Sequence, residues 1–318
     1  MGRKLGLILS VVCVALAVVF IIFGDTIAGR GNATSVNSIT LTDSTGKEVT
    51  ITKNPKRVVI LNASNVDLFV AAGGGDSIVG RTQSNALSGE VLAATANAED
   101  VGMIHAPNIE KIIALKPDLV IGTNVPFHLA LAPTLEKAGI PLFINSVDKY
   151  DQIEGSLTKF GQITGQEEKA DKEIAKIKAD YAEIIRSVEG KKPLKSLVIF
   201  GNTQSFNMAT SQTFTGDLIN RLGGNNIADN VKSGEGAYIP LSMEFLAKEN
   251  PEVIMLIMMG KPQEVQEKVR ADLEANPVWG NTSAVKNGRV YTLPYNLFTV
   301  NPGVQCIDAL QVLAGYVY

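Results

Sequence analysis

The sequence predicts an α/β fold: two Rossmann-like lobes with mostly parallel sheets, bridged by a long interdomain α-helix. Three observations carry that expectation. First, NIEKIIALKPDLVIG, Asn108 to Gly122, reads as a short capped helix, a proline stop, and then an uninterrupted apolar run. A helix feeding a strand buried on both faces is the pattern of a parallel sheet. Second, the same pattern returns as SMEFLAKENPEVIML from Ser242 to Leu256, with equivalent positions 134 residues on (110 to 244, 117 to 251). A repeat at that offset implies two similar lobes. Third, Tyr150 to Glu189 between them is helical and largely amphipathic, with apolar faces marked by Ile153, Leu157 and Phe160 and then by Ile174, Ile177, Tyr181, Ile184 and Val188.

With 318 residues, 45% of them hydrophobic, the chain is long enough for two cores. Charged residues are 19% and the formal net charge is −3, so no basic face for nucleic acid is expected. The two cysteines, Cys13 and Cys306, lie in different environments and form neither a disulfide framework nor a CxxC metal site. Leu5 to Phe23 is an apolar run preceded by Arg3 and Lys4. A run of roughly 18 or more residues can span a bilayer, and the basic pair keeps its own end in the cytoplasm. Residues 1–24 therefore read as a signal or anchor segment, with retention and cleavage both open, and everything after Asp25 as exported. Val11-Val12 before Cys13 lacks the small residue that lipid attachment needs, so lipidation there is not expected. Residues 25–37 read as a flexible tether carrying the sequon Asn32-Ala33-Thr34.

The first lobe is assigned to residues 38–148. SITLTDSTGKEVTI alternates around Asp43 to Gly46 and predicts a hairpin. Arg57 to Leu61 is a buried strand with Asn62-Ala63-Ser64 as its outgoing loop, and Val66 to Ala72 is a helix closed by Gly73-Gly74-Gly75. That glycine cluster follows a helix, so a C-cap explains it better than a phosphate loop. Ile78 to Gly80 is a second strand and Arg81 to Asn85 its loop; Thr123 to His128 leaves the Leu119–Ile121 strand. Leu129 to Lys137 reads as one helix, and Ile140 to Ile144, with its Pro141, as an edge strand. Connecting helices fill 149–192, interrupted at Thr164-Gly165. The second lobe, 193–318, opens with the strand Lys195 to Phe200. The loop Gly201 to Phe206, the helix Phe214 to Leu222, the loop Ser233 to Ile239, the loop Met258 to Pro262 and the strand Gly288 to Leu293 follow. A last helix starts at Asn301-Pro302.

No GxSxG, HExxH, P-loop or GxGxxG occurs, and only two histidines are present, so neither an enzyme nor a bare transition-metal site is expected. LTDSTGKEVTITKNPKRVVIL, DVGMIHAPNIEKIIALKPDLVIG, ITGQEEKAD, LGGNNIAD and NPVWGNTSAVKNGRVYTLP, spread over residues 38 to 318, closely resemble one family. It is the substrate-binding proteins of ABC importers for iron–siderophore complexes, cobalamin or haem, whose two lobes are joined by a single long helix. The resemblance implies a monomer without catalysis or cofactor of its own, which captures a metal chelate and delivers it to a permease dimer driven by a cytoplasmic ATPase. It also implies that Glu110 and Glu244, one per lobe, dock onto permease arginines. A glutamate in a first helical turn also complements the helix dipole, by roughly 0.3 to 1 kcal/mol; the matched pair favours docking.

The strand-end loops supply the cleft candidates: Asn62, Ser64, Arg81, His105, Phe127 and His128 from the first lobe, Asn202, Phe206, Tyr238, Met259, Tyr295 and Phe298 from the second. Aromatic area with a few polar groups suits a bulky ligand such as a ferric siderophore. Cobalamin, haem held by His or Tyr, and an oxyanion such as molybdate are the alternatives, together with a surface binding protein that does not transport.

Overall fold

Alternation of apolar and polar residues makes the first hairpin. Strands β1 (Ser38–Thr42) and β2 (Glu48–Thr52) pair, Val49 and Ile51 point inward, and Gly46 turns the chain at φ +86°. The computed structural model describes residues 37–202, 205–231, 236–258, 267, 270, 271, 273–299 and 302–318. The expected leader at 1–24, Cys13, the Asn32 sequon, nearly all of the tether, Met259 to Pro262 and Asn301 lie outside the described residues. Ile39 to Tyr318 forms one compact unit.

The first large sheet comprises β3 (Val58–Ile60), β4 (Ile78–Arg81), β5 (Glu99–Asp100), β8 (Leu119–Gly122) and β9 (Leu142–Ile144), with β-branched residues concentrated in β3, β4 and β8. Its order is β5-β4-β3-β8-β9 and every pairing is parallel. The central β3 and β8 are buried on both faces, and β9 is an edge, as the pattern predicts. A small antiparallel hairpin, β6 (Gly102–Met103) with β7 (Ala106–Pro107), stands apart from that sheet. The helices of this half are α1 (Ala63–Ala71), α2 (Gly89–Ala94), α3 (Ile109–Ala114), α4 (Pro126–Leu129) and α5 (Ala132–Lys137).

Three local expectations change. Asn62-Ala63-Ser64 is not a loop: Asn62 is the extended residue before α1, and Ala63 and Ser64 form its first turn. Arg81 belongs to β4 rather than to the loop after it. The single helix expected from Leu129 to Lys137 is two helices, because Pro133 cannot supply an amide proton and its ring would crowd the carbonyl four residues back. The chain therefore starts α4 earlier, at Pro126, and restarts at Ala132.

Helices α6 (Asp151–Thr164) and α7 (Glu167–Val188) follow, separated by Gly165 at φ +65°. A Cβ at Gly165 would sit 2.4 Å from Asn54 Oδ1, so glycine is required there. At a rise of 1.5 Å per residue, α7 is about 33 Å long, enough to run the length of a lobe. It packs on α6, on α1 and on the final helix α13 introduced below. One continuous core results, from Val58 and Ile121 through Phe160 and Ile184 to Val198 and Leu310.

The second half contains β10 (Lys195–Gly201), β11 (Phe206–Ala209), β12 (Asn225–Asn226), β13 (Tyr238–Pro240), β14 (Val253–Met258) and β15 (Val290–Thr292). Its described helices are α8 (Phe214–Arg221), α9 (Met243–Glu249), α10 (Pro277–Asn281), α11 (Ser283–Lys286), α12 (Tyr295–Phe298) and α13 (Cys306–Val317). The sheet order is β13-β11-β10-β14-β15, with β12 beside the start of β10. Pairings of β10, β14 and β15 are parallel, whereas β11 and β13 are antiparallel. Phe206 and Tyr238 thus lie in strands where loops were expected. The turn closes with Asn202 N–H donating to the Ser205 carbonyl at 3.1 Å, and so short a connection permits only an antiparallel neighbour. The last helix begins at Cys306, later than expected.

Among the described residues, side-chain contacts tie the halves together. Asp67 Oδ2 in α1 accepts the Val304 N–H at 2.7 Å, and a Cβ on the adjacent Gly303 would lie 2.5 Å from that same oxygen. Arg221 in α8 donates to Asp217 at 2.8 Å and to Asp151 of α6 at 2.6 Å, with its guanidinium 5.0 Å from the Tyr150 ring centroid.

Candidate functional site

Ligands of open parallel sheets sit beyond the carboxyl ends of the strands. In the first half, β8 ends at Gly122, where a Cβ would press on His128 Cβ at 3.2 Å. The next amide, Thr123 N–H, donates to His128 Nδ1 at 2.9 Å, and Asn124 N–H donates to Ser146 Oγ at 2.8 Å. This folded-back turn launches α4 and pushes Phe127 outward, 53% exposed. Beside it the β6–β7 hairpin turns at Ile104 and His105, and its Gly102, at φ +99°, leaves room where a side chain would strike the Ala106 carbonyl. Its tip carries Met103, 50% exposed, and Ile104, 36% exposed. His105 follows, its ring centroid 6.5 Å from that of Phe127 in an edge-to-face contact. Four apolar or aromatic side chains therefore stand in water side by side, a candidate binding surface.

The remaining first-half candidates are buried or half-buried. Asn62 is buried and its Oδ1 accepts from Asn65 Nδ2 at 2.7 Å; the same amide donates to the Gly122 and Asn145 carbonyls. This network locks the carboxyl ends of β3, β8 and β9 together. Ser64 is half-buried, its carbonyl 3.0 Å from where a Cβ on Gly303 would be. Arg81 is half-buried, donating from Nε to Thr95 Oγ1 at 2.9 Å and from a terminal nitrogen to the Thr82 carbonyl at 3.3 Å. His128 is wholly buried, a correction to its expected place among exposed cleft groups; burial also lowers its pKa, which keeps the ring neutral near pH 7.

In the second half the antiparallel strands build the rim. Tyr238 on β13 is 50% exposed and its ring lies 5.0 Å from that of Phe200 at the end of β10. Partial desolvation pushes its phenol pKa above the ordinary value, so at neutral pH it offers a hydroxyl, not a phenolate. Phe206 is half-buried, with Gly201 opposite leaving room for its ring, and Asn202 Oδ1 accepts the Ser205 N–H at 2.9 Å. Tyr295 is half-buried, whereas Phe298 belongs to the core. Met259 lies outside the described residues. Met103, Ile104 and Phe200 were not singled out from sequence. The available signal was GMIHAP, an apolar pair between Gly102 and Pro107 with no periodicity to bury it.

Glu110 and Glu244 are both exposed in first turns, each after a working cap: Asn108 Oδ1 accepts Lys111 N–H at 3.0 Å and Ser242 Oγ accepts Phe245 N–H at 3.2 Å. Both caps sit near strand carboxyl ends. Asn108 N–H donates to the Val101 carbonyl beyond β4 and β5, and Leu241 N–H to the Phe206 carbonyl opposite Gly201. Among the described residues no cluster of His, Cys, Asp and Glu could hold a metal ion.

The chain is similar along most of its length to ABC transporter substrate-binding lipoproteins. It is 28% identical over 291 residues to YvrC of Bacillus subtilis, covering 90% of this chain and 87% of that one. The Fe(3+)-citrate-binding protein YfmC of the same organism is 26% identical over 282 residues, covering 87% and 85%. The crystal structure of the petrobactin-binding protein YclQ of B. subtilis superposes with a TM-score of 0.73 at 22% identity, covering 87% of this chain and 98% of that one, and so shares the fold. Residues 58–297 match the family model described as periplasmic binding protein. With two α/β lobes, a helical bridge and that match over most of its length, the chain belongs to the periplasmic binding protein family.

Proposed function

We propose that this chain is the extracytoplasmic substrate-binding component of an ABC importer, capturing an iron–siderophore or similar metal chelate between its lobes. It would deliver that chelate to a permease dimer with a cytoplasmic ATPase, working as a monomer. The observation that carries the reading is the pair of water-exposed aromatic groups, His105 and Phe127 on one lobe and, on the other, Tyr238, whose ring lies against Phe200 near the carboxyl end of β10. Apolar and aromatic surface with few polar atoms suits a bulky chelate, whose metal is already coordinated and asks the protein for area more than for donors. The kinship with a ferric citrate binder supports the same ligand class. The lobe limits near residues 148 and 193 belong to this reading. So does a place on the outer face of the cytoplasmic membrane, which the lipoprotein relatives support.

Glu110 and Glu244 are the proposed docking groups. Two carboxylates on separate lobes orient the particle over a two-fold permease and speed encounter without demanding tight binding. Haem is the second reading, favoured by an exposed imidazole at His105 and a hydroxyl at Tyr238.

Calorimetric titration with ferric hydroxamate, catecholate and citrate complexes, haem, cobalamin and molybdate tests the ligand class. One ferric chelate is expected to bind, with at least about tenfold weaker affinity in Phe127→Ala or Tyr238→Ala, the loss of about 1.4 kcal/mol of aromatic contact. Binding of none of these ligands, or binding unaffected by either substitution, overturns the reading.

A further inference from the structure

We infer that Asn207, a residue with no sequence signal of its own, is the polar contact of the second lobe's rim and takes an uncharged carbonyl- or amide-bearing edge of the chelate. The ligand part rests on the binding function proposed above; the placement of Asn207 rests on strand register. Directly opposed residues of antiparallel strands put their side chains on the same face, and residues two apart along a strand share it. Phe200 opposes Asn207, Asn207 opposes Pro240, and Ala209 opposes Tyr238. Phe200, Asn207, Ala209, Tyr238 and Pro240 therefore share one face of the sheet. The rings of Phe200 and Tyr238, 5.0 Å between centroids, meet across β11, where Ala209 is too small to part them. Asn207 lies level with Phe200, one residue from the carboxyl end of β10, and so borders the ring pair on the side where that strand ends.

Its neighbour Phe206 faces the other way. Phe206 opposes Gly201, where a Cβ would lie 2.9 Å from the Phe206 ring and 3.5 Å from Met258, and it packs with Met208, Ile239 and Leu256 in the core of the opposite face. Asn207 is half-buried, and its carboxamide makes no hydrogen bond to a described residue, so the fold leaves it open to a ligand. A primary carboxamide sets a carbonyl acceptor beside two N–H donors, the complement of an amide or hydroxamate edge. The adjoining rings supply apolar area around that one polar point. None of the side chains on this face is an acid or a base of the Asp, Glu, Lys or Arg kind. An anionic group laid here would lose its water without gaining a counter-charge, whereas a neutral carbonyl exchanges water for the carboxamide.

The full chain is titrated calorimetrically with a ferric trihydroxamate, ferric citrate and haem, and each probe that binds is repeated on three variants. Asn207→Leu, similar in size but without hydrogen-bonding groups, is expected to weaken binding about tenfold while leaving the urea unfolding midpoint unchanged. Asn207→Asp, which keeps acceptors and adds a negative charge, is expected to weaken it no more than Asn207→Leu does. Phe206→Leu is expected to lower the unfolding midpoint, because its ring fills the space over Gly201, and to weaken binding less than Asn207→Leu. Affinity of Asn207→Leu within about twofold of wild type, or a larger loss in Phe206→Leu, overturns the assignment of Asn207. A loss in Asn207→Asp about tenfold beyond that in Asn207→Leu is the like-charge signature of an anionic edge and overturns the ligand class. If none of the three probes binds, the chelate reading itself fails; a probe that binds regardless of Asn207 sinks this inference alone.

Discussion

In the first lobe Asp118 accepts the N–H groups of Lys56 and Arg57 at 2.7 and 3.0 Å, and Arg57 Nε donates to the Leu115 carbonyl at 2.8 Å. In the second, Glu252 accepts the Lys195 N–H at 2.9 Å, and Lys195 Nζ donates to the Glu249 carbonyl at 3.3 Å. Lys116 and Asn250, which follow the two helices, stand at φ +47° and +46°. The helix, the reversal, the acid anchor and the buried strand are thus built twice with the same chemistry on different residue types. The rims diverge instead. Beyond β3 the chain enters α1 at once, whereas beyond the matching β10 it forms an antiparallel hairpin that presents Tyr238. Duplication holds where the lobe must fold and where each glutamate is displayed, and ends where the chain leaves the first strand of each pair.

The largest expected effect bears on the shared part. Glu110→Lys combined with Glu244→Lys should abolish uptake in whole cells while leaving calorimetric ligand affinity within about twofold, and either change alone should be partial. Equal loss of affinity would mean that the glutamates serve the fold or the ligand and not the permease. Next, Asp118→Ala should cost about 2 kcal/mol in urea unfolding and Glu252→Ala about 1, because the first acid accepts two backbone donors and the second one. Identical costs would erase the asymmetry drawn here.

A third effect concerns the place where the lobes meet. Burial raises the Asp67 carboxyl to about 6, with Glu173 and Glu90 adding to the rise and the backbone N–H groups of Val304 and Gln305 opposing it. A carboxyl raised in the folded state contributes stability that is complete below its ordinary value near 4 and lost as pH rises through 6. Wild type should therefore gain about 1.4 kcal/mol relative to Asp67→Asn between pH 7.5 and pH 5, measured by denaturant titration at both. A pH-independent difference would place Asp67 in water. The smallest effect separates the two reversals. Lys116→Gly should stabilise by about 0.5 to 1 kcal/mol, since lysine gains nothing from a left-handed backbone. Asn250→Gly should not, because the Asn250 side chain accepts the Ser283 N–H at 2.7 Å.

How much of this was legible in sequence follows from the range of each interaction. Asn108, Ser242, Pro117 and Pro251 act within four residues of themselves, so the capped helices and their strands could be placed from the string. The parallel core strands were readable because burial on both faces demands unbroken apolar runs. The antiparallel β11 and β13 were not: FNMA and YIP are too short to declare a period, and their strand character comes from pairing with β10 and with each other. For the site, Tyr238 was visible as an aromatic without a periodicity to bury it, while Phe127 and His128 read as equal candidates. Only the fold reveals that Phe127 faces water and that the His128 ring is sealed beneath Gly122 and Thr123.

The sequence by itself determined the two lobes, their helical bridge and the position of one glutamate in each, because those depend on local capping, proline stops and hydrophobic period. Tertiary structure alone decided which strand-end residues meet water, which oxygen of the first lobe holds the second, and how the rims differ. Those outcomes turn on contacts between residues as far apart as Asp67 and Val304, and on whether a side chain has space beside a particular glycine, neither of which any local pattern encodes.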